Sequence, residues 1–490
     1  MEEVKSWYEI AWRYLSITLI IGYYGLVLFA VIKMLLENKN PLKTHSYLLA
    51  MILLPIIGLL VYVVFGQDYR RNKMFSRKAA FDQERINEYV EQQLELASHE
   101  ELISDQEISK KIHIIKLLLS NNRSFLTKNN KVTLLFNGEK KFEELLKCLE
   151  SATNHIHIEY YIIDNDEIGG RIANILAKKA LEGVEVRFIY DDVGTSHLHK
   201  SFKKLFDDAG VEHFPFMPVY IPQLSRANFR DHRKIVVIDG KCGFVGGINI
   251  ADRYINKGPT IKWRDAHMKL EGDAVYSLQL VFMLNWYFVS NKSLDFSGKY
   301  FPDVKPRPSQ HVQIAASGPD SDWASIMQAF FVAISTAESQ VLLSTPYFIP
   351  NEPILTALAT AALGGIDVKI IFPYKGDNAI VQAASMSYMK EVLEAGVEVH
   401  LYSDGFNHSK TMVVDGILSS VGTANMDFRS FDQNFEVNAF VYNKEIASQL
   451  ISQFNDDLNH CIPLKLSRWQ QRPIRRRLAE SASRLLAPLL

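Results

Sequence analysis

The chain has 490 residues, 48% of them hydrophobic and 22% charged, and a formal net charge of −1. That much apolar material can bury cores across two or three domains and excludes an intrinsically disordered chain. The neutral balance excludes a global affinity for nucleic acid, so any cationic site has to be local.

The first elements are apolar. Residues 14–32 form an uncharged run of 19, and residues 46–65 a second of 20. Each matches the ~20 residues of a membrane-crossing helix. A secretory signal would begin basic and end at a small-residue cleavage site, whereas this start carries Glu2 and Glu3 and a second run follows. Residues 1–67 therefore read as a two-helix transmembrane anchor. Lys5, Arg13, Arg70, Arg71, Lys73, Arg77 and Lys78 flank it on one side, against Lys33, Lys39 and Lys43 in the loop between the runs. That imbalance places the N-terminus and the large C-terminal part in the cytoplasm. Residues 68–124 are charged and helix-prone, and read as a solvated helical connector.

Beyond the connector the chain repeats itself. "HRKIVVIDGKCGFVGGIN" (232–249) and "HSKTMVVDGILSSVGTAN" (408–425) share the frame H-x-K-x4-D-G-x5-G-x2-N, 176 residues apart. His232, Lys234, Asp239, Gly246 and Asn249 align with His408, Lys410, Asp415, Gly422 and Asn425. Upstream, "ALEGVEVRFIYDD" (180–192) parallels "ALGGIDVKIIFPY" (362–374). Each copy alternates β-rich and helical runs. This predicts an α/β fold of two repeats, each a mixed sheet flanked by helices, packed about a pseudo-twofold axis. The domains fall at 125–305 and 306–464, followed by a basic tail at 465–490.

Side chains two apart on a strand share a face, so His232 points with Lys234, and His408 with Lys410. A single H-x-K before an apolar strand is an ordinary surface pair. Two copies facing each other bring two His, two Lys and two Asn into a cationic, donor-rich cradle suited to phosphate. Asp239 and Asp415 have the other parity and precede glycine, which suits type I′ turns better than chemistry. Gly246, Gly247 and Gly422 permit close backbone approach. Cys148, Cys242 and Cys461 are dispersed, and no ligand set with metal spacing appears. Two imidazoles can divide the labour, one as nucleophile and one as general acid.

The paired motifs resemble the phospholipase D superfamily over about 125–460. The stretch "LLPIIGLLVYVVFGQDYRRNK", with "WRDAH" (263–267) and "DQNFEVNAF" (432–440), is similar to segments of the bacterial cardiolipin synthases. That resemblance implies a membrane-bound phosphatidyltransferase. It would condense two phosphatidylglycerol molecules into cardiolipin and glycerol through a phosphatidyl-histidine, without cofactor or metal. It implies a catalytic set of His232, Lys234, Asp239, His408, Lys410 and Asp415, with His232 as nucleophile and His408 as acid/base. The sequence itself does not separate the two histidines. Lys234, Lys410, Asn249 and Asn425 would hold the phosphate, with Gly247 and Thr423 beside them. Asp265 and Glu436, 33 and 28 residues after the histidines, would orient the imidazoles. The expected partners are phosphatidylglycerol, as donor and acceptor, and an anionic bilayer, not nucleic acid. Hydrolysis, or transfer to another alcohol, is the alternative. The aromatic, Pro-rich insertion at 214–229 and the Arg-rich tail are candidate contacts with lipid headgroups.

Overall fold

The computed structural model describes residues 2–36, 41–65, 83–99, 101–196, 200–219, 228–256, 261–295, 298–303 and 310–489. The chain divides into a small N-terminal unit and a large second unit that holds both repeats.

In the N-terminal unit, the helix Glu2–Leu36 includes one stretch, Ile10–Leu36, long and apolar enough to cross a membrane. The second uncharged run is not one helix. It breaks into Pro41–Leu53 and Pro55–Phe65, and the two pieces fold back on each other, with the Tyr47 and Tyr62 rings 5.8 Å apart. Pro55 has no N–H with which to continue the helix. Gly58 allows the approach, since a Cβ there would lie 2.3 Å from the Ala50 carbonyl oxygen.

The second unit is built on two mixed sheets of the same design. The first runs Asn130–Phe136, Ala266–Gly272, Cys242–Gly246, Lys234–Ile238, His155–Tyr160, Glu185–Asp191, Glu212–Phe216. The second runs His311–Ser317, Glu436–Tyr442, Leu418–Gly422, Thr411–Val414, Gln340–Ser344, Asp367–Pro373, Glu398–Tyr402, then adds Cys461–Pro463. In each, the last three shared strands are parallel and the motif strand is antiparallel to its neighbours. The sheets share a core. Ile235, Val237, Val245 and Met268 of the first cluster with Val413, Val421, Val437 and Ala439 of the second. The outer faces are covered by helices, so Val236 and Ile238 are buried as well. A strand covered on both faces reads as a continuous apolar run, which is why "KIVVI" shows no alternation.

Both Asp-Gly pairs form the expected turns. Asp239 and Gly240 have φ of 53° and 63°, and Asp415 and Gly416 have 54° and 62°. Their carboxylates are occupied there. Asp239 accepts from the amides of Thr153, Asn154 and His155, and Asp415 from those of Glu338, Ser339 and Gln340 and from buried Lys111. This corrects the catalytic assignment of Asp239 and Asp415. They lie at the far ends of the motif strands from His232 and His408 and act as staples between loops.

The described part of the connector, from residue 83 on, is not a solvated element. Val90, Ala97, Leu102, Ile108, Ile114, Ile115 and Leu118 are buried against Ile326, Ala329 and Ala333 of the second repeat. Exposed Glu88, Glu91 and Glu95 lie on the outer face of the helix Gln83–Ser98, while Val90, Leu94 and Ala97 make an inner stripe at helical spacing. The insertion is partly core: Phe216, Met217 and Phe229 are buried with Trp286 and Phe435. Its residues 220–227 lie outside the described residues. The tail helix Ile474–Arg484 packs along Ala379–Ser387, while Ile474, Leu478 and Leu485 stay exposed.

Burial alone would raise the Asp415 carboxyl, but Lys111 and three backbone amides outweigh it and hold it at about 2. A depressed carboxyl contributes stability above about pH 4, and that contribution disappears as pH falls toward 2. Asp415→Ala strands the Lys111 ammonium and is expected to cost roughly 3 kcal/mol at pH 7. Thermal melts at pH 7 and pH 3 check this: the gap between wild type and variant should shrink at pH 3.

Candidate active site

The repeats place their histidines by one device, used reciprocally. The His232 amide donates to the carbonyl oxygen of Phe435 at 2.9 Å, and the His408 amide to that of Arg264 at 2.7 Å. Each acceptor precedes an acid of the other repeat, Glu436 or Asp265. A short parallel pair, Trp263–Arg264 with Phe406–Asn407, and a bridge between Asp231 and Phe435 carry the crossing. Arg264 is itself fixed by Asp457, at 2.9 and 3.1 Å. His232 Nδ1 therefore meets Glu436 Oε2 at 3.0 Å, and His408 Nδ1 meets Asp265 Oδ2 at 2.7 Å. Both acids are fully buried. With Nδ1 engaged, Nε2 of His232 is the ring atom left for chemistry, whereas Nε2 of His408 also has Lys410 Nζ at 3.1 Å.

The two histidines line one cavity of about 560 Å³ with Asn249, Asn425, Tyr161, Tyr254, Trp263 and Tyr347. Tyr161 packs edge-on against His232 at 4.9 Å, and Trp263 lies 5.3 Å from His408. Asn249 donates to the Tyr254 hydroxyl at 2.9 Å, and the amide oxygens of Asn249 and Asn425 have no hydrogen-bond partner among the described residues. The lysines stand one layer back. Lys234 and Lys410 donate to the carbonyls of their own motif histidines at 2.7 and 2.6 Å, and Lys410 Nζ lies 2.9 Å from His408 Nδ1.

Gly247 and Thr423 are not in the cavity wall, which corrects their assignment to the phosphate site. They occupy equivalent positions behind the acids. A Cβ on Gly247 would lie 2.2 Å from Asp265 Oδ1. Thr423 Oγ1 accepts from the Val437 amide at 2.9 Å, beside Glu436. The shorter acid is thus matched with glycine and the longer one with threonine.

Comparison with known proteins bears on this architecture. The family described as cardiolipin synthase, PLD-like domain, matches residues 145–258 and 330–458. A cardiolipin synthase of Geobacillus sp. (strain WCH70) is 43% identical over 473 residues, 95% of this chain and 92% of that one. The chain belongs to the cardiolipin synthase family. Cardiolipin synthase 2 of Bacillus anthracis is 42% identical over 93% of this chain and 88% of its own. A phospholipase D-nuclease N-terminal family matches residues 25–67. The phosphatidylserine synthase of Haemophilus influenzae Rd KW20 is 14% identical, with a TM-score of 0.55 over 73% of this chain and 95% of that one, and shares the fold.

Electrostatics separate the two histidines of this family member. Burial lowers both imidazoles. His408 falls well below its ordinary value because Lys410, Lys234 and His232 add to the effect, whereas Glu436 partly restores His232. Burial raises Asp265 to about 6, against the pull of Lys410. Burial also pushes Glu436 up, but His232 and Lys234 outweigh it and leave the carboxyl below its ordinary value. Burial depresses Lys234 to about 7 and Lys410 to about 8.

Sequence reasoning missed the cavity rings and Arg230, Arg253 and Arg429, which also line it. For two of the arginines the signal was present. Arg253 and Arg429 each follow their motif asparagine by four residues, so the repeated frame extends as N-x3-R.

Glu436→Gln and Asp265→Asn are expected to lower kcat about 10–100-fold with a smaller change in KM. Removing the Glu436 carboxylate also removes what holds the His232 pKa up. If His232 must be neutral to react, the acid limb of kcat/KM in Glu436→Gln then moves to lower pH. An acid limb that stays in place would argue against this role for Glu436.

Proposed function

We propose that the protein is a membrane-bound phosphatidyltransferase that joins two phosphatidylglycerol molecules into cardiolipin and releases glycerol. The observation that carries this reading is the pair of carboxylate-braced imidazoles on one cavity, in a chain 43% identical to a cardiolipin synthase. The two repeats act as pseudo-twofold partners around one phosphate.

His232 Nε2 attacks the phosphorus of the donor. A P–N bond forms, the P–O bond to glycerol breaks, and His408 gives its proton to the departing oxygen. An anionic phosphodiester between the rings favours the protonated His408 that this step requires. Neutral His408 then takes the proton from the hydroxyl of the second phosphatidylglycerol. Its oxygen bonds to phosphorus as the P–N bond breaks. One phosphodiester replaces another, so the cycle balances without a nucleotide. Lys234, Lys410, Asn249 and Asn425 supply positive charge and amide donors around the reacting group.

The N-terminal runs anchor the enzyme beside its lipid substrates. The helix Glu2–Leu36 supplies one crossing, and a second requires the run broken at Pro55 to straighten into a single helix of about 20 residues in lipid. The excess of flanking cations on one side then puts the catalytic unit in the cytoplasm. The exposed Ile474, Leu478 and Leu485 of the tail, among its arginines, suit an anionic lipid surface.

Purified protein given labelled phosphatidylglycerol is expected to yield cardiolipin and glycerol in equal amounts, and phosphatidic acid alone would overturn the reading. His232→Ala and His408→Ala should each reduce cardiolipin formation by about a thousandfold or more. Because acid cleaves a P–N bond, denaturing His408→Ala in detergent at alkaline pH is expected to retain labelled phosphorus on His232. For topology, a cysteine placed at Lys43 should react with an impermeant thiol reagent outside intact cells. One at Ser76 should react only after permeabilisation, and the reverse pattern would invert the orientation.

A further inference from the structure

Joining two phosphatidylglycerol molecules brings two phosphodiesters to one cavity, and the histidine cradle accounts for the one that reacts. The other belongs to the acceptor, whose attacking hydroxyl sits only a glycerol length from its own phosphate. Since His408 takes the proton from that hydroxyl, the second phosphate has to lie on the His408 side.

Arg253 occupies that side. It lines the cavity with its guanidinium 5.9 Å from the Tyr254 ring and 5.6 Å from the Trp263 ring. Those two rings lie 5.8 and 5.3 Å from the His408 imidazole. The Arg253 side chain is 40% exposed where His408 is 8%, so it stands nearer the mouth. One terminal nitrogen pairs with Asp164 at 3.2 Å, and a guanidinium has further N–H donors to offer. The planar fork suits a phosphodiester, and the Tyr254 and Trp263 rings lie at the outer edge of cation–π range from it. The buried Arg230 is in a different position, held by Asp191 and the Met217 carbonyl. Arg429 is the counterpart of Arg253 in the second repeat.

Building on the phosphatidyltransferase reading, we propose that Arg253 binds the phosphodiester of the acceptor lipid and so favours a lipid alcohol over water or free glycerol. In the transfer step the P–N bond breaks as the acceptor oxygen bonds to phosphorus, and the proton passes to His408. Arg253 changes no bond and acts only by holding the acceptor.

The test lets two acceptors compete for the same phosphatidyl-enzyme. Full-length protein in vesicles of phosphatidylglycerol receives labelled glycerol. Transfer to phosphatidylglycerol gives cardiolipin, and transfer to glycerol, which has no phosphate, gives labelled phosphatidylglycerol. In Arg253→Gln the ratio of cardiolipin to labelled phosphatidylglycerol is expected to fall at least tenfold, with partial recovery in Arg253→Lys. An unchanged ratio, whether both products fall together or neither does, overturns the proposal. So does a ratio that falls in Arg429→Gln and not in Arg253→Gln, which would move the acceptor to the other repeat. If wild-type protein makes no cardiolipin, the functional reading itself fails, and that outcome is distinct from any of these.

Discussion

Each motif imidazole is braced by a carboxylate from the other repeat, and the rest of the second unit is arranged around that exchange. His232 depends on Glu436 and His408 on Asp265, so neither repeat completes a site alone. The contacts are short enough that a small slip between the sheets would break both. What prevents the slip is the shared apolar core, where Ile235, Val237 and Val245 pack with Val413, Val421 and Val437. Close-packed interiors do not deform continuously, and this gives the polar pairs a fixed separation. Buried charges cost desolvation, and here the apolar interface offsets it.

Duplication brings symmetry, and the site shows where the copies have diverged. Asp265 lies against Gly247, and Glu436 lies beside Thr423. The paired changes keep both carboxylates in reach of their imidazoles while altering their surroundings. Asp265 is pushed up to about 6 and Glu436 is pulled down. Two histidines with the same sequence frame thus meet different electrostatics. In the free site His408 is the harder of the two to protonate, since Glu436 partly offsets burial at His232 only.

The described part of the connector and the tail also converge on the second repeat. The connector buries Val90, Ala97 and Ile115 there, and Lys111 reaches the turn carboxylate of Asp415. The tail returns to the helix Ala379–Ser387, with Trp469 buried and Arg484 paired to Glu391. The same helix begins beside the cavity, where Asn378 and Val381 line the wall. The Arg-rich tail is therefore joined to the site through one packed element.

The duplicated frame, the two motif turns and the α/β alternation were legible in the sequence because they rest on local rules. Strand parity, Asp-Gly turn chemistry and repeat spacing are written residue by residue. Asp265 and Glu436 could be named from the family resemblance, but nothing local says which histidine each would brace. The crossing that pairs them with His408 and His232 exists only once two sheets have packed. The same holds for the lysines, which share a strand face with the histidines yet sit one layer behind them, tied to backbone carbonyls. The break at Pro55, the buried stripe of the connector and the seats of Gly247 and Thr423 were also decided by packing. By itself the sequence determined which groups exist in two copies. Tertiary structure decided which copy faces which, because contacts between residues 143 and 204 positions apart carry no local signature.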